Sequence, residues 1–130
     1  MGEIRAKVLL TNSLDEALHR RKKLKKSQIR RYEADAFVDT GSVRSVIPAH
    51  VMEQLGVLTR GQRVVEYADG RKDTVEVTEP IIFEILGRDT QEEPLVYGDA
   101  VLIGRTILAK LDLRTDGANR RVIPNPAHPD

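Results

Sequence analysis

The chain has no cysteine, no tryptophan, and only three tyrosines and two phenylalanines among its 130 residues. Without cysteine there is no disulfide framework, no thiol nucleophile and no cysteine-based zinc site. Histidine is scarce as well, and His19, His50 and His128 stand too far apart in sequence to suggest a metal cluster. No metal and no other cofactor is therefore expected, and any chemistry must come from carboxylates or hydroxyls. There is no run of about 18 apolar residues and no charged-then-apolar leader. A membrane is thus not an expected partner, and a cytoplasmic location is the default expectation. At this length a single domain over residues 1–130 is expected, burying about two-thirds of the surface its unfolded chain exposes.

Charge is unevenly spread. Residues 20–31 hold eight of the 21 basic residues and no acidic one, which leaves 13 bases against 20 acids elsewhere, a net of −7. An acidic body thus carries a basic insert at about 19–31, able to dock on its own domain, on an acidic partner or on phosphate. The insert lacks interleaved aromatics, Tyr32 being the only ring nearby, and the acidic body repels polyanions. Both features argue against nucleic acid as a partner. Like charges packed this densely predict a mobile, solvated segment.

The rest of the chain reads mainly as strand. Ile4 to Leu10 alternates, and Ser13-Leu14-Asp15-Glu16 forms a capping-box pattern that predicts a short helix from Leu14 to about Lys23 with Leu14, Ala17, Leu18 and, just past its end, Leu24 on its apolar face. Gln62 to Ala68 and Arg71 to Thr78 flank Asp69-Gly70, a two-residue hairpin signal. Ile81, Phe83 and Ile85 mark a further strand, Gly87 to Pro94 reads as a polar loop, and Pro94 to Tyr97 and Ala100 to Ile103 read as two short strands. A last hairpin is expected around Asp116 to Asn119, followed by an extended, proline-rich tail at 124–130. Many short strands broken by turn signals point to an all-β fold, a small Greek-key-like barrel with one or two short helices.

One place delivers a carboxylate from a strand into a glycine turn. Ala34-Asp35-Ala36-Phe37-Val38 leads into Asp39-Thr40-Gly41-Ser42, where Gly41 permits a sharp turn and the hydroxyls of Thr40 and Ser42 can donate hydrogen bonds. Val43 to Ile47 then resumes an apolar alternation, Pro48 opens a helix over Ala49 to Leu55, and Gly56 ends it. Much later Val101-Leu102-Ile103-Gly104-Arg105 forms a buried-type strand closing in glycine, followed by a helical stretch from Thr106 to Leu111.

This ordered pattern, from about Tyr32 to the tail, resembles the retropepsin-like family, the single-domain aspartic proteases of retroviral type and their bacterial relatives. The resemblance implies a small closed acid-protease barrel and an aspartic endopeptidase. It implies a catalytic Asp39 supported by Thr40, Gly41 and Ser42, with Leu102, Ile103, Gly104 and Arg105 as the structural segment beside it. Hydrolysis of a peptide bond without metal or covalent nucleophile needs one group to activate water and one to protonate the departing amide, and two carboxylates sharing a proton do both. One Asp-Thr-Gly per chain supplies half of that site, so the resemblance implies a symmetric homodimer acting on a peptide or protein substrate. Thr40 would bond across the twofold axis, and Ser42 would either donate to Asp39 or cap the turn. The hairpin tip Tyr67-Ala68-Asp69-Gly70-Arg71 would correspond to the flap over the substrate cleft. One departure stands out: family members carry an acid four positions after the catalytic Asp, paired with the Arg after the second Gly, whereas this chain has Val43 there and Arg105 as the Arg. Either Asp112, Asp116 or a carboxylate of the partner chain replaces it, or the dimer is assembled differently. The alternative from a different class is a catalytically silent dimeric module that binds extended peptides in the same groove.

Overall fold

A computed structural model describes residues 3–130. Strand makes up 45% and helix 19% of the chain, so β-structure dominates as expected. Nine strands form one sheet: β1 (Ile4–Asn12), β2 (Arg31–Asp39), β3 (Val46–Ile47), β4 (Thr59–Glu66), β5 (Lys72–Thr78), β6 (Ile81–Ile85), β7 (Arg88–Glu92), β8 (Leu95–Val96) and β9 (Leu102–Gly104). Their order is β4-β5-β8-β3-β9-β2-β1-β6-β7, with β4 and β7 as free edges. The sheet is therefore a curled half-barrel and not the closed barrel expected. The β7 edge is built from Arg88, Asp89, Thr90 and Gln91, and a charged edge resists further pairing. Two more strands, β10 (Leu113–Asp116) and β11 (Arg121–Pro124), form a separate hairpin whose second strand lies against β1.

The core follows from strand alternation. β1 and β2 pair antiparallel from Ile4↔Val38 to Thr11↔Arg31, which turns Val8, Leu10 and Ala36 inward. There they meet Ile47, Phe83, Ile103 and Ile107, all buried. Each large side chain in this layer contributes about 1.5–3 kcal/mol relative to exposure. A smaller cluster of Val46, Val75, Val77 and Leu95 supports the base of the β4–β5 hairpin.

Three α-helices complete the described residues: α1 (Ser13–Arg20), α2 (Ala49–Leu55) and α3 (Arg105–Lys110). α2 begins after Pro48 and ends at Gly56 in the left-handed region, φ 67°, where a Cβ would also collide with the Arg30 guanidinium. α1 departs from expectation. Its cap is Asn12, whose side chain accepts from the Asp15 N–H at 3.0 Å, and Leu14 is 59% exposed while Asp15 is buried. An ion pair inverts the face: Arg30 donates to both carboxylate oxygens of Asp15, at 2.9 Å and 3.0 Å. That pair tethers the basic segment, which contains a 3-10 turn at Lys26–Gln28 and a buried Ile29. Lys22, Lys23, Lys25 and Lys26 are exposed on it.

Two turns also differ. Gly87 to Pro94 is not a loop: Arg88 to Glu92 pair with Ile85 to Ile81 through the two-residue turn Leu86-Gly87, φ 53° and 78°. Both central residues of such a turn need positive φ, and Leu86 conceals the signal that Asn would give. The β4–β5 connection has a longer tip than two residues, because Tyr67 N–H donates to the Arg71 carbonyl at 2.8 Å and Gly70 N–H to the Tyr67 carbonyl at 2.9 Å. This is a three-residue loop whose last member, Gly70, sits at φ 85°. The tail turns at its end, with His128 N–H donating to Asn125 at 2.8 Å. Among the described residues no helix is long and apolar enough to cross a membrane.

Candidate active site

Asp39 ends β2, and its backbone lies in parallel register with Gly104 of β9, after the pairs Phe37↔Leu102 and Val38↔Ile103. The two segments picked out by sequence are thus neighbouring strands. The Asp39 carboxylate is exposed and its Oδ1 accepts the Gly41 N–H at 2.9 Å, while the Ser42 N–H closes the turn onto the Asp39 carbonyl at 3.1 Å. A methyl on Gly41 would stand 3.2 Å from Oδ1, so glycine lets the backbone approach its carboxylate.

The turn is held from the other side by the β9–α3 junction. Three successive amides donate to it: Gly104 to the Ser45 hydroxyl at 3.1 Å, and Arg105 and Thr106 to the Ser42 and Val43 carbonyls at 2.8 and 3.3 Å. Gly104 is required by space. A Cβ there would lie 2.7 Å from the Arg44 carbonyl and 2.8 Å from that of Val43.

Of the supporting side chains, Thr40 is exposed at the turn. The Ser42 hydroxyl donates to the Arg44 carbonyl at 2.9 Å, not to Asp39. Arg105 is exposed, and neither candidate acid within the chain reaches it. Asp112 is bonded to Asn125 and His128, at 2.9 and 2.8 Å, and Asp116 to Asn119 and Arg121, at 2.8 and 3.1 Å. Those bonds hold both carboxyls below their usual range, the Asn125 and Asn119 amides contributing most. Val43, at the position of the missing acid, is 51% exposed.

At the hairpin tip the charges of Asp69 and Arg71 neutralise each other. Arg71 Nε donates to Asp69 Oδ2 at 2.6 Å, its guanidinium lies 5.0 Å from the centre of the Tyr67 ring, and the Asp69 carboxyl is lowered chiefly by the Arg71 backbone N–H. Ala68 and Gly70 complete the exposed tip.

A further residue, outside the site read from sequence, is the part-exposed Tyr97. Burial pushes the Tyr97 phenol up, and the charges of Tyr67 and Asp39 add to the effect. Tyr97 follows β8, and its N–H donates to the Ile47 carbonyl at 3.2 Å. Its signal in sequence was the rarity of aromatics, with one placed just before Gly98, whose φ is 72°. Asp39 and the hairpin tip line none of three surface cavities of about 600, 500 and 260 Å³.

Among solved structures the fold is similar to that of a foamy viral protease-reverse transcriptase in complex with an RNA/DNA hybrid. The TM-score is 0.54 at 18% sequence identity, over 83% of this chain. This chain spans 12% of that one, so the similarity concerns a small part of it and the fold alone. No protein-family model matches the sequence, and no curated protein matches it.

Proposed function

We propose that this chain is one subunit of an aspartic endopeptidase of retropepsin type, with Asp39 as its catalytic group. The observation that carries the reading is the in-register pairing of Asp39 with Gly104 of Leu102-Ile103-Gly104, which ties an exposed carboxylate to a turn fixed by backbone bonds on both sides. Fold similarity to a chain that contains a viral protease supports it. An exposed turn fits a half-site completed by a second copy. In the dimer the two Asp39 carboxylates would share one proton, one acting as base toward water and the other as acid toward the leaving amide. The hairpin from Tyr67 to Arg71 would close over an extended peptide and exclude water.

Asp39→Asn keeps the size of the side chain and removes its charge, so it should abolish hydrolysis and leave the fold intact. A mixed peptide library read by mass spectrometry tests this. Cuts by the wild type that vanish in the variant support the assignment, and undiminished cutting by the variant refutes it. Peptide retention without any cutting by the wild type would instead mark the silent binding module.

A further inference from the structure

Glu92, the last residue of β7, is a carboxylate that is only 8% exposed and has no part in the chemistry above. Its Oε1 accepts the Ser45 N–H at 2.7 Å. Its Oε2 is fully covered and has no hydrogen-bond partner among the described residues. A desolvated carboxylate oxygen without a donor lowers stability, so its retention calls for a reason other than stability.

That reason lies one residue away. Ser45 is fully buried and is held in three directions: its N–H by Glu92, its hydroxyl by the Gly104 N–H at 3.1 Å, and its carbonyl by the Leu95 N–H at 3.0 Å. Gly104 is the register partner of Asp39. The loop from Ser42 to Ser45 is thus bound along one side by the amides of residues 104 to 106, and Glu92 fixes its far end. The close approach of Gly104 to the Arg44 and Val43 carbonyls leaves no slack between them. A shift of Ser45 would release the Gly104 amide and move β9 against β2, and so displace Asp39.

We propose that Glu92 is a positioning residue for Asp39, acting through Ser45 and Gly104 without touching substrate. Charge does not carry this role. Arg44, Arg60 and Lys110 share a cavity of about 500 Å³ with Glu92, yet they are occupied elsewhere. Arg44 donates to the Glu93 carbonyl, Lys110 to the Gln91 carbonyl at 2.9 Å, and Arg60 faces the Glu93 carboxylate at 3.5 Å. The useful group is the acceptor oxygen offered to Ser45, which Gln retains and Ala lacks. Only the activity readout of this proposal rests on the reading of Asp39 as catalytic.

The test compares Glu92→Gln, Glu92→Ala and Ser45→Ala by amide hydrogen exchange, resolved by NMR, and by kcat and KM for a cleaved peptide. Glu92→Ala should speed exchange at both Ser45 and Gly104 by roughly tenfold or more, with Glu92→Gln close to wild type. Ser45→Ala should speed Gly104 alone. In cleavage, Glu92→Ala should lower kcat roughly 10- to 100-fold at nearly constant KM, and Glu92→Gln should restore it. Unchanged exchange at Gly104 in Glu92→Ala overturns the proposal, as does a Gln variant as defective as the Ala one. If Glu92→Ala does not fold, Glu92→Gln and Ser45→Ala decide: Gly104 must stay protected in the first and lose protection in the second. The expected exchange pattern in a protein that cuts no peptide overturns the protease reading and leaves Glu92 as the prop of the turn.

Discussion

Gly104 occupies the tightest point of the site, and the neighbours that exclude a side chain there are backbone atoms of Arg44 and Val43. A flexible tip could swing aside, whereas a carbonyl held by its own hydrogen bonds cannot. Gly104→Ala should therefore lower stability by about 1–3 kcal/mol and displace the Asp39 turn, which urea denaturation and loss of cleavage would register together. A second residue-scale effect concerns Asp15. Its carboxyl lies below the ordinary range chiefly because of the Arg30 side-chain hydrogen bonds, with burial opposing them. The folded value is depressed, so this contribution is fully present above the unfolded value of about 3.9 and is lost as pH falls through the folded one. Asp15→Asn should lower stability at neutral pH by roughly 1–3 kcal/mol and flatten the acid limb of the melting curve. An acid limb as steep as that of the wild type would assign the acid sensitivity to other carboxylates.

At the scale of elements, the β4–β5 hairpin depends on one backbone conformation. Gly70 sits at φ 85° with no atom within 4 Å of a built Cβ, so replacing it costs conformational energy alone. Gly70→Ala should destabilise by about 1–2 kcal/mol, and Gly70→Asn, which tolerates the left-handed region, should recover most of the loss in the same denaturation assay. The hairpin was legible in sequence because Asp69-Gly70 is a strong turn signal, but loop length was not, since two- and three-residue turns draw on the same residues. α2 was legible to the residue because Pro48 and Gly56 bracket it locally. The buried face of α1 was not, because Asp15 faces inward only through Arg30, 15 residues later. β7 was hidden for a related reason: an edge strand buries one face at most, and Arg88 to Gln91 carry no apolar alternation. The strand–turn unit at Asp39 and its glycine-ended neighbour were both visible. Their pairing is a long-range fact that local pattern does not encode, and Glu92 became visible only through it.

The whole molecule presents one exposed Asp39 turn, at the end of an interior strand of an unclosed sheet, with the apolar Val43 beside it half-exposed. If the site is completed by a second copy, activity belongs to pairs of chains and not to chains. This makes an inactive subunit a measurable inhibitor. With wild-type chain held at a concentration where it is fully paired, an equal amount of Asp39→Asn chain should draw half of the wild-type subunits into mixed dimers. These lack one carboxylate of the pair. The initial rate of peptide cleavage should fall to about one half, and to about one quarter with a threefold excess of variant, as random pairing of equivalent subunits requires. A chain that works alone would be indifferent to the variant. A mixed dimer that kept full activity would mean that a single Asp39 suffices, and the shared-proton mechanism would then have to be abandoned even though the site remained the same.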